Sequence, residues 1–132
     1  MTKTKNIEQT VVFSAKPHEV YGALMDSKKH AKFTGGRASV SRAVGGKFTA
    51  FDGYITGFNL ELKKDKKIIQ AWTCTEWPVG HYSVVTFSLK PVQQGTQLVF
   101  THIGVPANKA ASISSGWKEY YWKPMEKMFG GK

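Results

Sequence analysis

Apolar and polar positions change period twice along this chain. From Ile7 to Ser14 a β-rich run containing Val11, Val12 and Phe13 predicts a strand. Pro17 suits the first turn of a helix, where a missing N–H costs nothing, and Val20, Tyr21, Leu24 and Met25 give that helix an apolar stripe ending near Asp26. Ser27 is placed to cap a second short helix through Lys28 to Phe33, which Gly35-Gly36 stops. Between Arg37 and Ile103 the pattern is strand after strand, six in all. Gly45-Gly46, Asp52-Gly53, Lys63–Lys67, Trp77–Gly80 and Pro91–Gly95 supply the turns. Short loops between them predict an antiparallel meander, with the Lys63–Lys67 charge run as a solvated hairpin tip.

The last segment takes a helical period. Ile113, Trp117, Tyr120, Tyr121, Pro124 and Met128 share one face of a helix about four turns long, kinked where the Pro124 ring crowds the carbonyl of Tyr120. Trp122 and Phe129 lie more than about 100° away from that face. Either they pack on the first strand or they form an exposed spot for a partner. Strand, two helices, six strands and a long helix make an α+β chain. A curved antiparallel sheet wrapped around the C-terminal helix, in one domain over residues 1–132, satisfies every piece.

Loop lengths permit a register argument. A four-residue loop at 77–80 sets Glu76 opposite His81, Cys74 opposite Ser83, Trp72 opposite Val85 and Gln70 opposite Phe87. Closing the next hairpin at Leu89 and Thr96 sets Phe87 opposite Leu98, Val85 opposite Phe100 and Ser83 opposite His102. Opposed residues point the same way, so one face carries Trp72, Val85, Phe87, Leu89, Leu98 and Phe100, and the long helix covers it. Near the 77–80 loop that face turns polar, with Cys74, Glu76, His81, Ser83 and His102. Three readings follow: a solvated rim with a Glu76–His81 pair; a cavity under Trp117 and Tyr121 for a small apolar ligand; or a metal or nucleophilic site on Cys74, His81 and His102. No ligand spacing supports the last.

Charge and motifs narrow the classes. A net charge of +10 favours an acidic partner, held less tightly as salt rises. Lys28, Lys29 and Lys32 on the short helix, with Trp122, are the candidate contacts. Nucleic acid competes for the same charge, but the lysines are scattered without interleaved aromatics, so no specific nucleic-acid role is expected. The lone Cys74 excludes an internal disulfide framework and a CxxC site. No apolar run approaches about 18 residues, and Met1–Asn6 does not read as a signal peptide, so a soluble cytoplasmic domain without a membrane partner is expected. Phosphate loops, dinucleotide fingerprints and HExxH are absent. The expectation is no cofactor, no metal and no catalytic residues.

Gly45-Gly-Lys-Phe48, Asp52-Gly-Tyr-Ile-Thr-Gly57, Trp72, Trp77-Pro-Val-Gly-His81, Gly104-Val-Pro106 and Gly116-Trp-Lys-Glu-Tyr-Tyr121 occur in that order. Together they resemble the C-terminal domain of the activators of heat-shock-protein-90 ATPase, from about Ile7 to Phe129. That family is similar to the helix-grip folds that include START and Bet v 1-like domains. The resemblance implies a non-enzymatic co-chaperone-type domain that binds the heat-shock-protein-90 chaperone and stimulates its ATPase. Full activators carry a further N-terminal domain, for which this length leaves no room.

Overall fold

The computed structural model describes residues 3–129. Its seven strands are β1 (Thr4–Phe13), β2 (Ser39–Val40), β3 (Lys47–Ala50), β4 (Ile55–Lys63), β5 (Lys67–Cys74), β6 (Ser83–Val92) and β7 (Gly95–Pro106). They form one antiparallel sheet in the order β1-β7-β6-β5-β4-β3-β2, so the meander pairs in sequence and β1 joins its last strand. Register shifts between Lys5 and Ile7 and between Asn59 and Glu61 mark the bulges that help curve the sheet. The period-2 pattern sets the faces: Trp72, Val85, Phe87, Leu89, Leu98 and Phe100 are buried on the concave side.

Both hairpin registers differ from the sequence expectation by two residues. Trp72 lies opposite Ser83 and Gln70 opposite Val85, because β5 stops at Cys74 and residues 75–82 form a wider loop. Within that loop Trp77 N–H donates to the Cys74 carbonyl and His81 N–H to the Pro78 carbonyl, two successive turns that fold the Trp77 ring inward. Phe87 faces Phe100, Val85 faces His102, and Leu89 faces Leu98, because the last hairpin turns tightly with Val92 opposite Gly95. A slip of two preserves which face each side chain occupies, so the inner-face assignment stands. Gln70 is buried there and donates to Asn59 Oδ1 at 3.0 Å, while Asn59 Nδ2 donates to the carbonyls of Ser41 and Ala43.

Helices α1 (Pro17–Met25) and α2 (Ser27–Thr34) follow β1. The cap of α2 is Asp26 and not Ser27: Asp26 Oδ1 accepts from Lys29 N–H at 2.9 Å, and Ser27 Oγ instead accepts from Val40 N–H, tying α2 to β2. Gly35 ends α2 in the left-handed conformation, φ 82°, that glycine adopts at least cost. The C-terminal helix is α3 (Ala110–Trp117), a π-helical turn (Lys118–Trp122) and α4 (Lys123–Met128). The π turn ends two residues before Pro124, and Lys123 N–H reaches back to the Lys118 carbonyl, five residues away. That widened turn redistributes the face expected from a regular helix. Trp117, Tyr121, Trp122 and Met125 are buried, and Tyr120 is 56% exposed.

Candidate functional site

Between the sheet and the C-terminal helix lies an apolar cavity of about 370 Å³. Ile55 and Trp72 form its sheet wall, Phe51 and Tyr54 come from the β3–β4 turn, and Ser112, Ile113, Gly116, Trp117, Tyr120 and Tyr121 come from the helix. The turn is bent sharply. Phe51 and Asp52 adopt left-handed φ values of 52° and 59°, and Gly53 follows at 92°. For Phe51 that conformation costs on the order of 1–2 kcal/mol. In return its ring meets Tyr120 at 5.7 Å and Tyr121 at 6.3 Å, at the cavity's edge. No Lys, Arg, Asp or Glu is among the lining residues.

The hydroxyls of Tyr54, Ser112 and Tyr121 and the Trp117 indole are committed to other partners. Tyr121 Oη–H donates to His30 Nε2 at 2.8 Å, and His30 Nδ1–H donates to the Leu24 carbonyl at 3.0 Å, which sets one neutral tautomer. Burial lowers the pKa of His30, against the opposing pull of that carbonyl, and burial raises that of Tyr121. Tyr54 Oη–H donates to Glu76 Oε1 at 2.9 Å; its pKa rises chiefly through desolvation, with the carboxylate contact adding to it. Ser112 Oγ–H donates to the Lys109 carbonyl.

Behind Trp72 and Trp117 the inner face holds a polar chain in the core. Trp117 Nε1–H donates to His102 Nδ1 at 3.1 Å, so His102 is protonated on Nε2 and donates to Ser83 Oγ at 2.6 Å; Ser83 in turn donates to the Trp72 carbonyl at 3.1 Å. His102 has no exposed surface, and desolvation pulls its pKa down to about 3. Every donor and acceptor in the chain is used. Because Nδ1 is occupied by the indole and Nε2 already carries a proton, His102 is not placed to take the Ser83 proton as a general base.

The nine residues expected at a ligand site therefore separate into three groups. Trp72, Trp117 and Tyr121 line the cavity. Ser83, Phe100 and His102 are buried beside it, where Phe100 meets Trp117 at 4.4 Å and Trp72 meets His102 at 4.8 Å. Cys74, Glu76 and His81 stand at the rim. Cys74 is buried, and burial raises its thiol pKa over the lowering effect of the Glu76 backbone N–H. The expected Glu76–His81 pairing does not form: Glu76 binds Tyr54, and His81 Nε2–H donates to the Gly104 carbonyl at 2.8 Å. Among the described residues no group of three or more His, Cys, Asp or Glu side chains is gathered to hold a metal ion.

Phe51, Tyr54 and Gly116 are cavity residues that sequence reasoning missed. The Asp52-Gly53 turn was visible, but its left-handed Phe51 carried no signal. His30 was missed for lack of any local cue beyond its spacing from Phe33. Of the partner candidates, Lys28, Lys29 and Lys32 are exposed on α2. Trp122 is not: it is 5% exposed, its Nε1–H donates to Gln9 Oε1 on β1 at 2.6 Å, and its ring stacks on Trp117 at 22°. Of the two readings for Trp122, the structure shows packing on the first strand. The β4–β5 tip is tied back to α1 by His18 Nδ1–H and Asp65 at 3.0 Å.

This sheet, closed over an aromatic C-terminal helix, defines the helix-grip class. A family model described as "Activator of Hsp90 ATPase homolog 1-like protein" matches residues 14–130, and the chain belongs to that family. It is 29% identical over 118 residues to the human activator of 90 kDa heat shock protein ATPase homolog 1, covering 89% of this chain and 35% of that protein. An uncharacterised fission yeast protein is 28% identical over 130 residues, covering 98% of this chain and 39% of that one. The chain thus spans little more than a third of these curated relatives. A crystal structure of a heat-shock-protein-90 activator from Plasmodium falciparum superposes with a TM-score of 0.89 at 28% identity, covering 95% of this chain and 96% of that one. The solution structure of an Aha1 dimer from Colwellia psychrerythraea shares the fold, with a TM-score of 0.82 at 20% identity, covering 97% and 98%.

Proposed function

We propose that this chain is a co-chaperone-type interaction domain that binds the heat-shock-protein-90 chaperone and modulates its ATPase. The observation that carries the reading is the family match, together with a likeness to a solved activator that covers 95% of this chain and 96% of that one. The exposed Lys28, Lys29 and Lys32 of α2 are proposed contacts, fitting an acidic chaperone surface. Titrating the isotope-labelled protein with the host's own chaperone at about 150 mM salt tests it. Saturable amide shifts confined to one face are expected. Unperturbed spectra at high chaperone excess discard direct binding.

The cavity favours a second reading, a carrier or sensor of a small apolar ligand held against Trp72, Trp117 and Tyr121. Gly116 lines it, and a Cβ there would meet nothing closer than Tyr120 Cδ2 at 3.9 Å. A Gly116→Leu variant therefore fills the cavity. Saturable binding of an uncharged fluorescent probe such as Nile red to the wild type, lost in Gly116→Leu, supports this reading. Equal binding by both proteins, or none by either, removes it.

A further inference from the structure

We propose, resting on the co-chaperone reading, that three lysine-bearing turns at one end of the molecule form a docking surface for a carboxylate-rich patch of the chaperone. By sequence alone the Lys63–Lys67 run is a solvated hairpin tip. The fold sets it against two further turns, residues 14–19 between β1 and α1 and residues 90–95 at the β6–β7 hairpin. Each turn is fastened to the next. Leu89 N–H donates to the Lys66 carbonyl at 2.8 Å, Thr96 Oγ1–H donates to the Ala15 carbonyl at 2.6 Å, and His18 Nδ1–H meets the Asp65 carboxylate at 3.0 Å. These links close a ring, so the backbones that carry the lysines are fixed before a partner arrives.

The charge on this ring is uncompensated. Lys16, Lys63, Lys64, Lys66 and Lys90 are exposed on it, and Lys67 is half-buried. Of the six, only Lys63 forms an ion pair among the described residues, with Glu61 at 3.9 Å. The other two carboxylates nearby are already engaged. Asp65, at the apex with a left-handed φ of 62°, is turned onto His18, and Glu19 Oε1 accepts from Lys16 N–H at 3.1 Å. Lys63 also lies directly opposite Lys67 across the hairpin, a like-charge pairing that works against the fold. A surface with six lysines, three carboxylates and that internal repulsion draws carboxylates from outside. It continues toward the lysines of α2, because Lys29 Nζ lies 3.9 Å from where a Cβ on Gly22 of α1 would stand.

An acidic protein surface fits this platform better than a nucleic-acid strand does. No Phe, Tyr or Trp occurs in residues 14–19, 63–67 or 90–95, so the rings on which the bases of a single strand stack are missing.

Calorimetric titration of the chaperone with Lys64→Glu/Lys66→Glu, with Lys67→Glu and with the control Lys3→Glu/Lys5→Glu tests the surface. The control makes the same charge change as the first variant, but at the far end of β1, where Lys5 lies opposite Val105. The tip double variant should bind about tenfold more weakly than the wild type, while the control stays within about twofold. Lys67→Glu sets a carboxylate opposite Lys63, so it should melt no lower than the wild type and still bind about threefold more weakly. Weaker binding by a protein at least as stable separates a contact from a structural role. Tip variants that bind as tightly as the control overturn the docking surface and leave the co-chaperone reading standing. No binding by the wild type overturns both. DNA binding that is lost in the tip variants, with chaperone binding unchanged, also overturns the docking surface.

Discussion

Buried among Trp72, Phe100 and Trp117, the His102 ring stays neutral because a charge there would lose its hydration without gaining a counter-ion. Its pKa falls to about 3 in the fold, against roughly 6.5 when unfolded. The stability this contributes is fully present above about pH 6.5. It is lost as the pH drops toward the folded value, because only the unfolded chain takes up the proton. His30 is shifted the same way. Thermal melts should therefore show a falling melting temperature from pH 6.5 to pH 5, above the main carboxylate range, with His102 contributing up to about 1.4 kcal/mol per pH unit and His30 adding in the same direction. His102→Gln should lower the melting point at pH 7 yet flatten that slope; an unchanged slope contradicts the assignment. Gly116 gives the opposite kind of residue effect. It sits in α3 with room for a Cβ, so Gly116→Ala should stabilise by about 0.5–1 kcal/mol in chemical denaturation.

At the scale of elements, the π turn and the β3–β4 hairpin decide which aromatics are buried. Trp122 is turned onto β1 and its neighbour β7, where it meets Phe13 at 6.3 Å and Phe100 at 5.3 Å. Trp122→Ala should thus cost about 3–5 kcal/mol and lower the melting temperature by roughly 10 °C or more. A variant that melts like the wild type contradicts that packing. Gly57 on β4 marks a close approach: a Cβ there would fall on the Ala71 carbonyl oxygen and 2.7 Å from the Phe48 ring. Gly57→Ala must displace backbone, and a loss of about 2 kcal/mol or more is expected in denaturant titration. The β4 alternation alone reads Gly57 as an ordinary inward position. Only its partner strands show why a side chain is excluded there.

For the whole molecule, the charge of +10 governs encounter with other molecules more than it governs the fold. The lysines lie on several elements: the β4–β5 tip tied to α1, the exposed side of α2, and the turn after Pro106. If the co-chaperone reading holds, affinity for the chaperone should fall as salt rises from about 50 to 300 mM, chiefly through slower association. Stopped-flow measurements across that range check it, and a salt-independent association rate contradicts electrostatic steering.

The period-2 alternation of β5, β6 and β7 was enough to determine which side chains face the helix, because a strand's two faces are set by local geometry. It survived a register error of two residues for that reason. The Pro and Gly signals likewise determined where α1 begins and α2 ends. The pairing itself was decided by the tertiary structure, since Trp77 folds into the core and widens a loop that sequence spacing reads as four residues. The π turn before Pro124, the burial of Trp122 and the exposure of Tyr120 depended on packing against β1, which no helical wheel contains. The His30–Tyr121, Trp117–His102–Ser83 and His81–Gly104 hydrogen bonds join residues distant in sequence. Only the closed sheet brings them within reach.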